Sequence, residues 1–355
     1  MLGNYKALSE NIQNRLDPEA LQSFQKSFSE ELRSLSYSNV LQFIKSAMQG
    51  VPNEYTLRIK EAGENVKDHL RTSLTDVSYR FQGSVMTNTH IMGYSDIDLL
   101  VLNEKSYTYD MYNMKKYINE ESFRSKLYSS QVKKLEQEVN DFSQYKGDPL
   151  LDLRENRLAS ENTLKNIYIE CNISKPKSIK IRNRSLKKDV DIVIAGWYED
   201  VRSIIFDKGN NRGIQVYNKD EHTKGNPDFP FISIERINER GSLTNGRLKK
   251  MIRFLKNVKG ASNLDIDLSS FDINAICYDI PIREYESLSF YELVTVIYNQ
   301  LFKICDSIEY ANKISSVDDR EYIFISNPNK LANVKKILQE VTQVYLDLSK
   351  TKILI

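Results

Sequence analysis

Cysteine and histidine are scarce, with three of each in 355 residues. Cys171, Cys277 and Cys305 are far apart and form no C-x-x-C pair. No zinc module can be read from that spacing, and the thiols are expected to be reduced and buried or half-buried. The single tryptophan, Trp197, reads as a packing residue at the end of a strand rather than as a platform for a base. No window approaches the roughly 18 continuous apolar residues of a membrane helix, and the opening MLGNYKALSENIQNRLDPEA has no apolar core of a signal peptide. An excess of one charge is missing too: 50 Lys and Arg stand against 48 Asp and Glu. No basic stripe with interleaved aromatics supports a long nucleic-acid ligand, so any phosphate site is a local patch. The expectation is a soluble cytoplasmic protein with no membrane partner.

What is present is period. Helix is predicted over 17–49, opened by Asp17-Pro18 with Leu21, Phe24, Phe28, Leu32 and Leu35 at near-helical spacing. A second helix is predicted over 54–74. The pattern then turns to alternation: DVSYRFQGS sets Val77, Tyr79 and Phe81 against polar neighbours and stops at Gly83-Ser84, and DIDLLVLN follows, bounded by Gly93-Tyr94-Ser95. From 119 to 170 the chain reads as charged helix with two apolar stripes, one from Phe123 to Phe142 and one through Leu150, Leu153, Leu158 and Leu164. A hairpin is predicted from KSIKIRN (177–183) and KKDVDIVIAGW (187–197). Beyond NKDEHTKGNPDFP come helices over about 229–240, 245–259, 268–280, 287–310 and 328–350.

The question the sequence raises is why two aspartates open a buried strand. Alternation puts Asp96 and Asp98 on one face while Ile97 and Leu99 point into the core. In DVDIVIA, Asp189, Asp191 and Val193 share a face opposite Val190, Ile192 and Ile194. Adjacent carboxylates repel and resist desolvation unless a cation lies between them. If the strands are neighbours, a third carboxylate joins the first two in the oxygen-rich cage that magnesium or manganese prefers. A D-x-D also serves calcium loops and nucleotide-sugar transferases, and Asp189, at the strand mouth, reads as a solvent or hairpin residue. Gly83-Ser84 ends a strand with backbone N–H groups and a hydroxyl suited to phosphate. Thr87 and Thr89 read as turn-stabilising hydroxyls at least as well as pocket residues. His90 and His222 sit in polar loops and are not assigned a role as bases.

The set QGS (82–84), SDIDLLV (95–101) and DVDIVIA (189–195) resembles the nucleotidyltransferases of the polymerase-beta-like superfamily. More narrowly it resembles the CD-NTases of antiphage defence, bacterial relatives of cyclic GMP-AMP synthase and oligoadenylate synthase. GRLKKMIRFLKNVK resembles the family helix that supplies a triphosphate-binding lysine, and LSSFDINAICYDIP the helix after it. The His/Cys zinc thumb of the animal sensor is missing.

The resemblance implies an α+β fold. A nucleotidyltransferase core (1–220, including the N-terminal helices) would pack on a helical lobe (221–355), with the active site in the cleft between them. It implies Asp96, Asp98 and Asp191 as catalytic metal ligands for two Mg2+ ions, with Mn2+ able to substitute. Gln82, Gly83, Ser84, Lys256, Ser270 and Phe271 would bind the triphosphate and base; for Ser270 and Phe271 a helix cap and a core phenylalanine are the alternative. The implied activity is condensation of ribonucleoside triphosphates (ATP, GTP, UTP or CTP) into a cyclic di- or trinucleotide, by a monomer, with release of pyrophosphate. The product would be read by a separate effector. A linear product, or transfer to RNA, a protein or a small molecule, is the competing expectation.

Overall fold

The computed structural model describes residues 5–13, 38–91, 96–325 and 327–351. The Asp17-Pro18 helix start, the apolar positions from Leu21 to Leu35 and the Gly93-Tyr94-Ser95 boundary lie outside them.

The main helices are α1 (Tyr5–Gln13), α2 (Asn39–Met48), α3 (Asn53–Arg71), α4 (Met111–Asn119), α5 (Ser129–Asp141), α6 (Pro149–Ile167), α7 (Pro230–Leu243), α8 (Arg247–Ala261), α9 (Ser270–Asp279), α10 (Leu293–Asp306) and α11 (Pro328–Ser349). The strands are β1 (Val77–Gln82), β2 (Ile97–Tyr109), β3 (Cys171–Asn172), β4 (Ile179–Asn183), β5 (Lys188–Glu199), β6 (Gly213–Asn218) and β7 (Thr223–Lys224). Helix and strand are mixed, as an α+β fold requires. The chain separates into two compact units, one of Met1–Thr56, Ser84–Ser95 and Arg236–Ile355, the other of Leu57–Gly83 and Asp96–Glu235. These units interleave along the sequence rather than following one cut.

The second unit holds the sheet, in the order β1-β2-β5-β4-β3 with β6 on the far half of β5. β2 and β5 are parallel, and their other partners are antiparallel. Such central strands are covered on both faces and read as nearly continuous apolar runs. Ile97, Leu99, Val101, Val190 and Ile192 are fully buried on one face. There α3 comes so close that a Cβ on Gly63 would stand 2.7 Å from the Phe81 ring. Pro149 opens α6 behind the Asp148 cap, and its Leu153 reaches Gly196.

The opposite face changes character along its length. Towards the C-terminal end of β2 and β5 it is an apolar cluster of Leu100, Leu102, Val193, Ala195, Trp197, Ile214 and Phe231. Trp197 is the packing residue expected: it is buried, 5.7 Å from the Phe231 ring, and its Nε1 donates to Glu104 at 2.8 Å. Towards the N-terminal end the same face is acidic.

The sequence reading missed four features. β2 runs on to Tyr109 through a register shift between Asn103 and Tyr107, although EKSYTY has the polarity of a loop. β6 pairs with β5 but offers only a short alternation, and β3 is two residues long. Leu158, placed in an apolar stripe, is exposed.

The first unit is helical. α8 is its centre, with Leu248, Met251, Ile252, Phe254, Leu255 and Val258 buried. The Phe43 ring of α2 stands 6.3 Å from that of Phe254, and Tyr5 donates to Asp347 of α11 at 2.7 Å. The helices predicted beyond 229 are present to within a few residues, except that α10 begins at Leu293. All three cysteines are unpaired, Cys277 buried and the others half-buried. Among the described residues no helix is long and apolar enough to cross a membrane.

Candidate active site

In the sheet unit the register does what the sequence could only suppose. Gln82 on β1 pairs with Asp98 on β2, Asp98 with Asp191 on β5, and Asp191 with Lys180 on β4. Directly paired residues share a face, so these four form one row across the sheet, with Asp96 and Asp189 beside it.

Asp98 sits beneath the end of β1. Gly83 has φ +89°, and a Cβ there would stand 2.7 Å from Asp98 Oδ2. Glycine is thus required twice, for the left-handed backbone and for the space above a carboxylate. Burial, then the charges of Asp191 and Asp96, push the Asp98 carboxyl up to about 7, against the opposing pull of Lys175 and Lys180. That direction is the signature of acids gathered without enough positive charge.

The available cations lie on the rim. Lys180 Nζ is 2.5 Å from Asp96 Oδ2 and 3.1 Å from Asp189 Oδ2. Arg182 holds Asp189 Oδ1 at 2.8 Å. Lys175 Nζ and Ser178 Oγ each stand 3.4 Å from Asp191 Oδ1. Asp189 therefore has the hairpin role read from sequence, paired with Arg182 across β4 and β5, and in addition holds Lys180.

The loop carrying Lys175 and Ser178 is fixed from below. Arg157 of α6 is buried, paired with Glu161 at 2.7 Å, and donates to the carbonyls of Ile173, Lys175 and Ser178 at 3.3, 2.9 and 3.0 Å.

The donor set of Asp96, Asp98 and Asp191 is all carboxylate oxygen, which suits a hard divalent cation, and ammonium groups already occupy the position of counter-charge. The residues fit magnesium. As they stand, Asp96 is turned onto Lys180, and among the described residues no three acidic, histidine or cysteine side chains converge to ligate an ion.

The helical unit carries a second assembly. Ser84 opens a turn closed by Thr89 N to Ser84 O at 3.0 Å and Thr87 Oγ1 to Ser84 O at 3.1 Å. Thr87 and Thr89 are buried and bonded to each other at 2.8 Å, which makes them turn-stabilising hydroxyls. α8 grips this turn: Arg253 donates to Asn88 O at 2.6 Å and Lys256 Nζ to Thr89 O at 3.2 Å. Burial first, with Arg253 adding to it and Cys277 opposing, brings the Lys256 ammonium down to about 8.

Lys256 lines a cavity of about 300 Å³ with Ser84, Ile91, Lys259, Gly260, Leu268, Ser270 and Ile273. The structure thus brings Ser84, Lys256 and Ser270 together. Phe271 is half-buried and is not among the residues lining this cavity. The cap of α9 is Ser269, which accepts from Asp272 N at 3.1 Å, so Ser270 is exposed and its hydroxyl is not the capping group. His90 lies in a loop of polar neighbours as expected but is buried there, and its Nε2 meets Thr56 Oγ1 at 3.0 Å. His222 is bonded to Tyr217 OH at 2.8 Å.

Sequence reasoning overlooked Lys175, Ser178 and Lys180. Alternation in KSIKIRN already set Ser178, Lys180 and Arg182 on one face, but only the hairpin register places Lys180 opposite Asp191.

Comparison with known proteins bears on both assemblies. The cGAS/DncV-like nucleotidyltransferase C-terminal helical domain matches residues 235–346. A c-di-GMP synthase of Capnocytophaga granulosa is 49% identical over 347 residues, covering 97% of this chain and 98% of that protein. A c-di-GMP synthase of Lachnospiraceae bacterium (strain RUG226) is 39% identical over 98% of this chain and 99% of its own length. The solved structure of a STING-associated CdnE c-di-GMP synthase from Flavobacteriaceae sp. superposes with a TM-score of 0.87 at 35% identity, covering 98% of this chain and 99% of that one.

Proposed function

We propose, from the premise that this chain belongs to the CD-NTase family of cGAS/DncV-like nucleotidyltransferases, that it joins two GTP molecules into cyclic di-GMP with release of two pyrophosphates. Synthesis of cyclic dinucleotides is the activity of the relatives, and the choice of GTP rests on those named c-di-GMP synthases. The structural observation that carries the reading is the pairing of Asp98 with Asp191 across parallel β2 and β5, with Asp96 two residues before Asp98.

In this reading Asp96, Asp98 and Asp191 hold two Mg2+ ions, for which Mn2+ can substitute. Bound there, the ions would lower the pKa of the attacking hydroxyl and neutralise the leaving pyrophosphate. Asp191, steadied by Ser178 and Lys175, orients the acceptor hydroxyl. Gly83, without a side chain, leaves the Asp98 carboxylate unobstructed. Ser84, Lys256 and Ser270 take the triphosphate, with Lys256 as its buried cation. A ribose hydroxyl of one GTP attacks the α-phosphorus of the other and the bond to pyrophosphate breaks; the same exchange, repeated within the linear product, closes the ring. We infer a monomer acting in the cytoplasm in antiphage signalling, its product read by a separate effector; the STING association of the Flavobacteriaceae relative supports a separate reader.

The test is incubation of the pure protein with magnesium and each labelled triphosphate, alone and in pairs. GTP alone should give a phosphatase-resistant cyclic dinucleotide and two pyrophosphates per ring. A mixed-base product would overturn the choice of GTP. Product only on addition of RNA or protein would overturn cyclisation.

Gly83→Ala supplies a narrower check. The left-handed backbone alone should lower stability by about 1–2 kcal/mol. The methyl group against Asp98 should lower kcat/KM by about 10²-fold, the scale of a 1 Å misplacement. Thermal melting and pyrophosphate release read the two effects, and unchanged turnover would remove Gly83 from the site.

A further inference from the structure

The acidic face already contains a cation, and it stands on the wrong partner for catalysis. Lys180 Nζ is 2.5 Å from Asp96 Oδ2, a carboxylate assigned to metal, and 3.1 Å from Asp189 Oδ2, one that is not. Asp189 is kept in place by Arg182, which takes its other oxygen at 2.8 Å. Lys180 therefore has two acceptors within reach, of which the ion needs only one.

We propose that Lys180 is a resident counter-cation that competes with the divalent ion for Asp96, and that Asp189 is the seat on which its ammonium remains when the ion enters. The inference rests on the metal reading of Asp96, Asp98 and Asp191. Four carboxylates, Asp96, Asp98, Asp189 and Asp191, crowd one end of a sheet face, and without a cation their mutual repulsion would oppose folding. Lys180 relieves that repulsion at partly exposed positions, its side chain 31% accessible and that of Asp96 39%. Pairs of this exposure are weak, so a doubly charged ion can replace the ammonium. The exchange moves no proton and breaks no covalent bond. Its effect is to set the ion concentration at which the site fills. Asp189 lowers that threshold by giving Lys180 somewhere to stay.

The two residues therefore have opposite signs, which a purely structural ion pair would not produce. The measurement is Mn2+ binding by the full chain without nucleotide, from the electron paramagnetic resonance signal of free Mn2+, with a melting curve for each variant. Lys180→Gln should bind Mn2+ about 2- to 5-fold tighter, the range expected from losing a weak competing pair. Asp189→Asn should bind about 3-fold weaker, because Lys180 is left with Asp96 alone. The double variant should match Lys180→Gln, since without the lysine Asp189 has nothing to hold. Lys180→Met serves in place of the glutamine should that variant melt early.

Unchanged or weaker binding by the Lys180 variants, or an Asp189→Asn effect that persists without Lys180, overturns the proposal. Asp96→Asn/Asp98→Asn is the control: if it binds Mn2+ as the wild type does, the metal assignment itself fails, a result distinct from failure of the exchange.

Discussion

Replacing Asp96 and Asp98 together by asparagine is expected to abolish pyrophosphate release and to leave the ion-free protein melting at the same temperature or higher. The two effects have one cause. Ion-mediated stabilisation of transferring phosphate is worth several kcal/mol and each 1.4 kcal/mol is tenfold, so kcat should fall by at least about 10³-fold. The fold, by contrast, is relieved of charge. The Asp98 carboxyl rises from 3.8 to about 7 through burial and the neighbouring Asp191 and Asp96. A carboxyl whose folded pKa lies above its unfolded value favours the folded state less as pH rises between the two values. Wild-type stability without ions should therefore decline from about pH 4 to about pH 7 through this group and carry the full penalty above pH 7.

Three pH units at about 1.4 kcal/mol each set a ceiling near 4 kcal/mol. The half-buried position of Asp98 screens part of that, and the gain should read as a melting point a few degrees higher at pH 8 in chelator. Asp189 remains to hold Lys180 in the variant, so that contact is not stranded. Differential scanning fluorimetry across pH and a pyrophosphate assay decide both halves. Retained turnover would refute the metal assignment, and a melting point several degrees lower would show that the carboxylates stabilise the ion-free fold.

The site was legible in proportion to how local its signals are. Period two in SDIDLLV and DVDIVIA placed five aliphatic side chains in the core and the aspartates on the opposite face, because alternation follows from strand geometry alone. That Asp98 and Asp191 would pair depended on two strands about ninety residues apart being neighbours, which the repeated D-x-D pattern raised as a condition and alternation alone cannot establish. Lys180 shows the limit more sharply: its face was readable, but its opposition to Asp191 depends on the turn between β4 and β5. β2 beyond Asn103 was lost because polar EKSYTY is held as strand by pairing of Tyr107, Thr108 and Tyr109 with β5, a tertiary effect. The burial of His90 was lost for a similar reason, since its sequence neighbours are polar and its partner Thr56 is 34 positions away. The interleaving of the compact units has no sequence mark, because the turn at Asn88 and Thr89 joins the helical unit through hydrogen bonds from Arg253 and Lys256, over 150 positions away.

Replacing Lys256 by methionine is expected to raise KM for GTP by about 10- to 100-fold, the worth of a hydrogen-bonded charge on phosphate, while making the free protein more stable near neutral pH. Methionine keeps the apolar stem and removes the ammonium. Burial brings that ammonium from 10.5 down to about 8, with Arg253 adding to the effect and Cys277 opposing it. A lysine whose folded pKa lies below its unfolded value weakens the fold wherever it is charged in both states. The penalty is complete below about pH 8 and fades between about 8 and 10.5. At roughly 2.5 pH units the ceiling is about 3 kcal/mol, and wild-type stability should recover across that window while the variant shows no such rise.

A bound triphosphate reverses the sign, because four phosphate charges favour the ammonium that the empty cavity disfavours. Affinity for a non-hydrolysable GTP analogue should therefore fall as pH rises through about 8 in the wild type, and the fall should be absent in Lys256→Met. Calorimetric titration at pH 7 and pH 9 separates this from loss of structure, since both proteins are folded and differ only in how binding responds to protons. An unchanged affinity in the variant would remove Lys256 from the triphosphate site. A lost pH dependence together with weaker binding would establish that the same buried charge that weakens the free fold is what the nucleotide is held by.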